Sequence, residues 1–189
     1  MSVNGATNIY KIRHLERGEY LQPIDPQDYD FFVFEGRPIA SSWKPVPMKR
    51  LKDFGDGLPV QPVDFPSCTG GNHLPMTDRA KKKIGYCLER YGEFLPFTCD
   101  EGKFWTFHVT HVVDALDENA SDVLRSSEDP SRILVINRHV FRPERLTADW
   151  MFKLPQPRGG PAYVTDPFVN MIRASGLTGM EFKRIWPHS

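Results

Sequence analysis

Hydrophobic positions fall along this chain in two rhythms, and their alternation defines the elements to expect. Between Thr77 and Gly92 the side chains of Ala80, Ile84, Cys87, Leu88 and Tyr91 recur at helical spacing, while Lys81, Lys82, Lys83, Glu89 and Arg90 take the other faces. That spacing predicts an amphipathic helix with Thr77 as its N-cap and Gly92 as its stop. A second helix is predicted from Thr165-Asp166-Pro167, where a capping side chain precedes a first-turn proline. Phe168, Val169, Met171 and Ile172 supply its apolar face and Gly176 ends it.

The other rhythm is that of strands. Aromatic and β-branched runs predict strands at Tyr10 to His14, Asp30 to Phe34, Glu93 to Thr98 and Lys103 to Val113, the last two joined by the hairpin-turn signal Asp100-Glu101-Gly102. Arg132 to Asn137, His139 to Arg142, Trp150 to Leu154 and Met180 to Trp186 continue the series. Residues 1–76 have a different texture. They carry Pro23, Pro26, Pro38, Pro45, Pro47, Pro59, Pro62 and Pro66, with a turn signal at Gly70-Gly71, and read as short strands joined by ordered loops. This proline-rich region is expected to pack on a main domain spanning 77–189. Strand runs with two interspersed helices predict an α+β fold with a mainly antiparallel sheet.

Charge narrows the classes of partner. The 24 basic and 24 acidic side chains of the 189 residues cancel to a net charge of zero, so no global field draws the molecule to nucleic acid or to an anionic membrane. The first thirty residues contain no apolar run of signal-peptide length, and nowhere is there a run long enough to span a membrane, so a cytoplasmic protein is expected. Cys68, Cys87 and Cys99 lack the close pairing of zinc or redox motifs and read as reduced, mostly buried thiols. No cofactor is expected.

Candidate chemistry is sparse. His108, His111 and Asp114 could bind a metal if they converged, but on a strand residues 108 and 111 point to opposite faces, which favours ordinary polar sheet residues. Ser41-Ser42-Trp43-Lys44 has the spacing of a serine-lysine pair, yet Pro45 and Pro47 oppose the helix that would orient it. Phosphate-binding loops, dinucleotide fingerprints, nucleophile elbows and metalloprotease motifs do not occur. The feature that stands out is an acidic stretch: Asp114, Asp117, Glu118, Asp122, Glu128 and Asp129 against the single Arg125. Such carboxylates either lie on a solvated loop or steer and hold a basic protein surface, and Asp114 and Asp117 can also cap local backbone. The partner-binding set expected from it is Asp114, Asp117, Glu118 and Asp122.

Three stretches together resemble the immunity-protein family of bacterial polymorphic toxin systems, the myxobacterial-type immunity domain. The most specific is Ser175-Gly176-Leu177-Thr178-Gly179-Met180-Glu181-Phe182-Lys183-Arg184-Ile185-Trp186, similar to that family's closing helix, Gly-Leu-x-Gly turn, Glu-Phe strand and terminal tryptophan. The second is Phe107 to Asp117 with Ser121, in which His108 stands where asparagine is common in the family. The third is the helix from Thr77 into Gly92-Glu93-Phe94-Leu95-Pro96. The resemblance implies a non-enzymatic protein that binds a cognate toxin, encoded by the adjacent gene and often a nuclease, and occludes its active site or substrate groove one-to-one. An enzyme acting on the toxin or its product through His108, His111 and Asp114 is the alternative from another class, and an adaptor or scaffold without a toxin partner is a third. Phe182, Trp186 and the glycine turn are residues that fix the scaffold, so specificity is expected on loops and exposed surface.

Overall fold

A computed structural model of the chain describes residues 8–32, 34–68, 73–157 and 159–187. Among them lie twelve strands and two α-helices: β1 (Ile9–His14), β2 (Tyr20–Pro23), β3 (Val46–Leu51), β4 (Ser67–Cys68), β5 (Leu74–Thr77), α1 (Asp78–Leu88), β6 (Gly92–Thr98), β7 (Phe104–Val109), β8 (Asp122–Arg125), β9 (Ile133–Arg138), β10 (Met151–Phe152), β11 (Tyr163–Thr165), α2 (Asp166–Ser175) and β12 (Met180–Trp186). The strands form a four-stranded sheet in the order β10-β11-β1-β12, a six-stranded sheet in the order β4-β2-β3-β6-β7-β5, and the separate ribbon β8-β9. All pairings are antiparallel except β2 with β4 and β3 with β6. The fold is α+β with mainly antiparallel sheets, as the alternation of rhythms predicts.

Each helix follows from its local chemistry. The Thr77 hydroxyl accepts the Ala80 amide at 3.2 Å and starts α1, and Ala80, Ile84 and Leu88 bury the stripe. Gly92 is not a left-handed stop, since its φ of 173° is extended. It is needed because a Cβ there would sit 2.1 Å from the carbonyl oxygen of His108, so β6 and β7 approach at a point only glycine allows. In α2, Thr165 gives no side-chain cap; its hydroxyl donates instead to the Asp149 carbonyl at 2.6 Å. Gly176, at φ 65°, is the left-handed end that the sequence predicts.

The core has three parts. Both helices pack with β5, β7 and one face of the four-stranded sheet around Phe65, Met76, Phe107, Val164 and Phe168. The opposite face of that sheet, through Ile9, Phe152 and Tyr163, packs under the β8-β9 ribbon against Ile133, Ile136 and Phe141. Leu21, Met48, Leu95 and Phe97 form the third part with Phe32 and Phe34. The closing signature is held from the N-terminal side. Asp64, buried, accepts the Thr178 amide at 3.0 Å and the Arg79 guanidinium at 2.5 Å, joining the Gly176–Gly179 turn to the first turn of α1.

Some predicted strands are corrected. The strand predicted at Asp30 to Phe34 is overturned by its described residues: Asp30 to Phe32 end the 3-10 helix Pro26–Phe32, begun by Asp25 accepting the Gln27 amide at 2.9 Å, where Phe32 packs on Phe97 and His73, and Phe34, outside any strand, packs on Trp43. The strand expected to run to Val113 stops at Val109, because the amides of Thr110 and His111 both turn onto the Tyr91 carbonyl at 3.0 Å. At His139 to Arg142 only an isolated bridge forms, between Leu116 and Phe141. The turn expected at Gly70-Gly71 lies outside the described residues. Ser41 and Ser42 lie in a turn, and Trp43 and Lys44 follow outside any helix or strand.

Candidate functional site

The acidic stretch after β7 is partly strand. Its second half enters β8, which pairs with β9 in register Asp122 to Arg138 and Leu124 to Val135, with a bulge at each end of β8. Ribbon side chains on one face, Val123, Ile133 and Ile136, go into the core, and the opposite face exposes Leu124, Leu134 and Val135. Exposed branched aliphatics on adjacent strands, bordered by charge, have the composition of a docking surface with an apolar centre and polar rim.

The four predicted carboxylates have distinct surroundings. Asp114 is two-thirds exposed and pairs with Arg142 at 2.9 Å. Asp117 turns inward: one of its oxygens accepts the amides of Asn119 and Ala120, both at 3.1 Å, and so shapes the loop. Glu118 pairs with Arg125 at 2.6 Å in solvent. Asp122 opens β8 and is exposed. Asp114 and Glu118 share the rim of a cleft of about 260 Å³ whose lining is completed by Leu116, Ile133, Leu154, Pro155 and Gln156. Carboxylates above an apolar floor suit a lysine or arginine side chain, whose stem is apolar and whose head is cationic.

His108, His111 and Asp114 do not converge. His108 is fully buried beside Phe34, with Nδ1 3.1 Å from Glu93, and burial pushes its imidazole below its ordinary value while Glu93 pulls the other way. His111 pairs with Asp149 at 2.7 Å, and Asp114 with Arg142. Glu93 also accepts the Ile39 amide at 2.6 Å, so the His108 cluster ties the N-terminal loop to β6. Next to it Lys153 is buried, donating to the Phe34 carbonyl at 2.5 Å. The described residues contain no cluster of three or more histidine, cysteine or carboxylate side chains placed to hold a metal ion. Cys68 is buried, while Cys87 and Cys99 are half-buried.

Sequence reasoning missed two parts of this surface. One is the pair of distant arginines that hold the loop, legible only once the chain beyond β8 folds back: Arg142 pairs with Asp114 at 2.9 Å, and Arg138 donates to the Ala120 carbonyl at 2.9 Å. The other is a basic cleft of about 350 Å³ at the far end of β9, lined by Lys11, Arg13, Asn137, His139, Lys183 and Arg184 together with Ile12 and Ile185. Its cations come from the two ends of the chain. Elsewhere, a pocket of about 540 Å³ between Phe31, Ile39, Trp43 and Val46 is mainly apolar, with Asp28 and Lys44 as its charged residues.

No helix among the described residues is long and apolar enough to cross a membrane. No curated protein matches the chain. The helix from Thr77 precedes the segment that does find a match, whereas the other two stretches carrying the resemblance fall inside it. That segment, residues 97–186, from the end of β6 to the end of β12, matches the Immunity protein family (Imm11), upholds the resemblance to an immunity protein, and implies a toxin-neutralising role.

Proposed function

We propose that this protein neutralises a cognate toxin by stoichiometric binding, without turnover, and that it docks through the β8-β9 ribbon and the acidic loop before it. The observation that carries the reading is the cleft lined by Asp114 and Glu118, together with Leu124, Leu134 and Val135 exposed on the outward face of the same ribbon. Asp114, Glu118 and Asp122 meet the partner in this reading, and Asp117 holds the loop that presents them. An aliphatic centre excludes water while clustered carboxylates steer a basic surface and fix its register. A nuclease-type toxin, with a basic substrate groove, is the partner this chemistry fits, and occlusion of that groove is the mechanism. The immunity domain is residues 77–189, with residues 1–76 packed on it and contributing β1 to the sheet of β11 and β12. The site of action is the cytoplasm, and the toxin is the product of the adjacent gene.

Co-purification of the tagged chain with that gene product, followed by titration of the toxin's activity, tests the reading. Inhibition complete at one-to-one supports it. Protection persisting far below one inhibitor per toxin overturns occlusion in favour of an enzyme, and absence of a complex favours an adaptor. Reversing Glu118 and Asp122 to lysine should slow association by about ten-fold at low salt, with the loss fading as salt rises.

A further inference from the structure

The basic cleft at the far end of β9 has no counterpart in the reading above. β1 and β12 are neighbours, and their register sets Lys11 directly opposite Lys183. Like charges directly opposite across a strand pair destabilise it, so this pairing contributes nothing favourable to the fold. Among the described residues, none of Lys11, Arg13, Lys183 and Arg184 takes part in an ion pair. Glu181 faces Arg13 in the register without forming one. The Lys11 ammonium lies 6.0 Å from the Tyr163 ring centroid, and the Tyr163 hydroxyl is held by His139 at 2.9 Å, so the floor beneath the cations is fixed. Burial and the neighbouring Lys183 and Arg13 hold the Lys11 ammonium below its ordinary value, the field expected of an uncompensated cationic cluster.

We propose that the cleft lined by Lys11, Arg13, Asn137, His139, Lys183 and Arg184 is a binding site for a carboxylate-rich segment of a protein partner. Charge complementarity points to an anion, and three features favour an acidic peptide over nucleic acid. The cleft is short, taking a few side chains rather than a tracked backbone. The acidic loop is tied to the adjoining end of β9 by Arg138 and repels phosphates extending past the mouth. The aromatic rings at the cleft, His139 in the lining and Tyr163 beneath Lys11, are buried against each other and Phe141 and leave no open face on which a base could stack. The site rests on the toxin reading only in naming the partner: the toxin that meets the acidic loop with a basic surface presents an acidic segment here.

The test uses the full chain and fluorescein-labelled hexaglutamate at low salt, with labelled oligothymidylate as the competing probe. Saturable peptide binding that weakens with salt is expected, weakened about ten-fold or more by Lys11→Glu/Lys183→Glu. The neutral pair Lys11→Met/Lys183→Met should also bind weakly while melting at or above the wild-type temperature, because removing the cross-strand repulsion relieves the sheet. No saturable peptide binding, or equal binding by the variants, overturns the site. Oligothymidylate binding tighter than hexaglutamate and lost in the same variants overturns the peptide assignment in favour of nucleic acid. Loss of peptide binding with toxin co-purification intact removes this proposal alone, whereas peptide binding with no toxin complex removes the toxin reading and leaves the cleft.

Discussion

Lys153 gives the sharpest quantitative test of the structure, because a cation has been buried where only a backbone carbonyl receives it. Its side chain is 2% exposed and donates to the Phe34 carbonyl. Burial lowers its ammonium from 10.5 to about 8, with the Glu35 carboxylate opposing only in part. At about 1.4 kcal/mol per pH unit, keeping the proton in the fold costs about 3 kcal/mol. Between pH 8 and 10.5 the unfolded chain holds this proton and the folded chain does not, so stability rises with pH across that window. Below pH 8 both states are charged and the cost is present in full; above 10.5 it is gone. Lys153→Met keeps the unbranched stem and removes the charge, at the pH-independent expense of leaving the Phe34 carbonyl unpaired. Urea unfolding of both proteins from pH 7 to 10.5 should show wild-type stability gaining about 3 kcal/mol on the variant. Lys11, Tyr10 and Tyr163 are also shifted but are present in both proteins and cancel in the difference. His108, whose protonation the Lys153 charge opposes, titrates below the window. A difference that stays flat refutes the buried ammonium.

Four further outcomes are expected. Asp64→Ala strands the Thr178 amide and removes the acceptor of the Thr77 and Thr178 hydroxyls, while the exposed Arg79 guanidinium returns to water, and should lower unfolding free energy by about 2 kcal/mol in denaturant titration. Gly92→Ala forces β6 away from β7 at the His108 carbonyl and should cost about 3 kcal/mol or leave little folded protein, measured by thermal melting. Thr77→Ala removes the α1 cap for about 1 kcal/mol by the same assay. Leu124→Asp should change stability by only about 0.5 kcal/mol, since the side chain is exposed, yet weaken toxin capture about ten-fold or more in a co-purification titration; unchanged capture removes the ribbon from the interface.

What was legible in the sequence is what is local. The stripe Ala80-Ile84-Leu88 and the Gly176 stop declare α1 and α2 because helical spacing and a left-handed turn need no distant partner. The acidic loop is legible for the same reason, being contiguous. Its internal division is not, since the inward turn of Asp117 depends on the backbone of Asn119 and Ala120 and the pairing of Asp114 depends on Arg142. Asp30 to Phe34 misleads because aromatic composition serves either a strand or a loop packed on a core, and tertiary contact with His73 and Phe97 decides. The basic cleft is invisible in the chain because Lys11 and Lys183 meet only when β1 pairs with β12.

The zero net charge of the sequence conceals an uneven distribution, which includes an acidic and a basic pole on the same ribbon. Ile133 lines the acidic cleft and Asn137 the basic one, both on β9. Four residues of strand separate them by about 13 Å. That distance exceeds a Debye length of about 8 Å at physiological salt, so each pole acts on a partner locally rather than through the net charge. It is also small enough for one interface of about 800 Å² per side to cover both. If the partner is bipolar in the complementary sense, its capture depends on the arrangement of charge and not on its sum. Glu118→Lys combined with Lys183→Glu leaves the net charge at zero and reverses one member of each pole. Association with the toxin should slow by more than either single change causes, and the salt dependence of the rate should flatten. A double variant that associates at the wild-type rate would show that neither pole belongs to the interface.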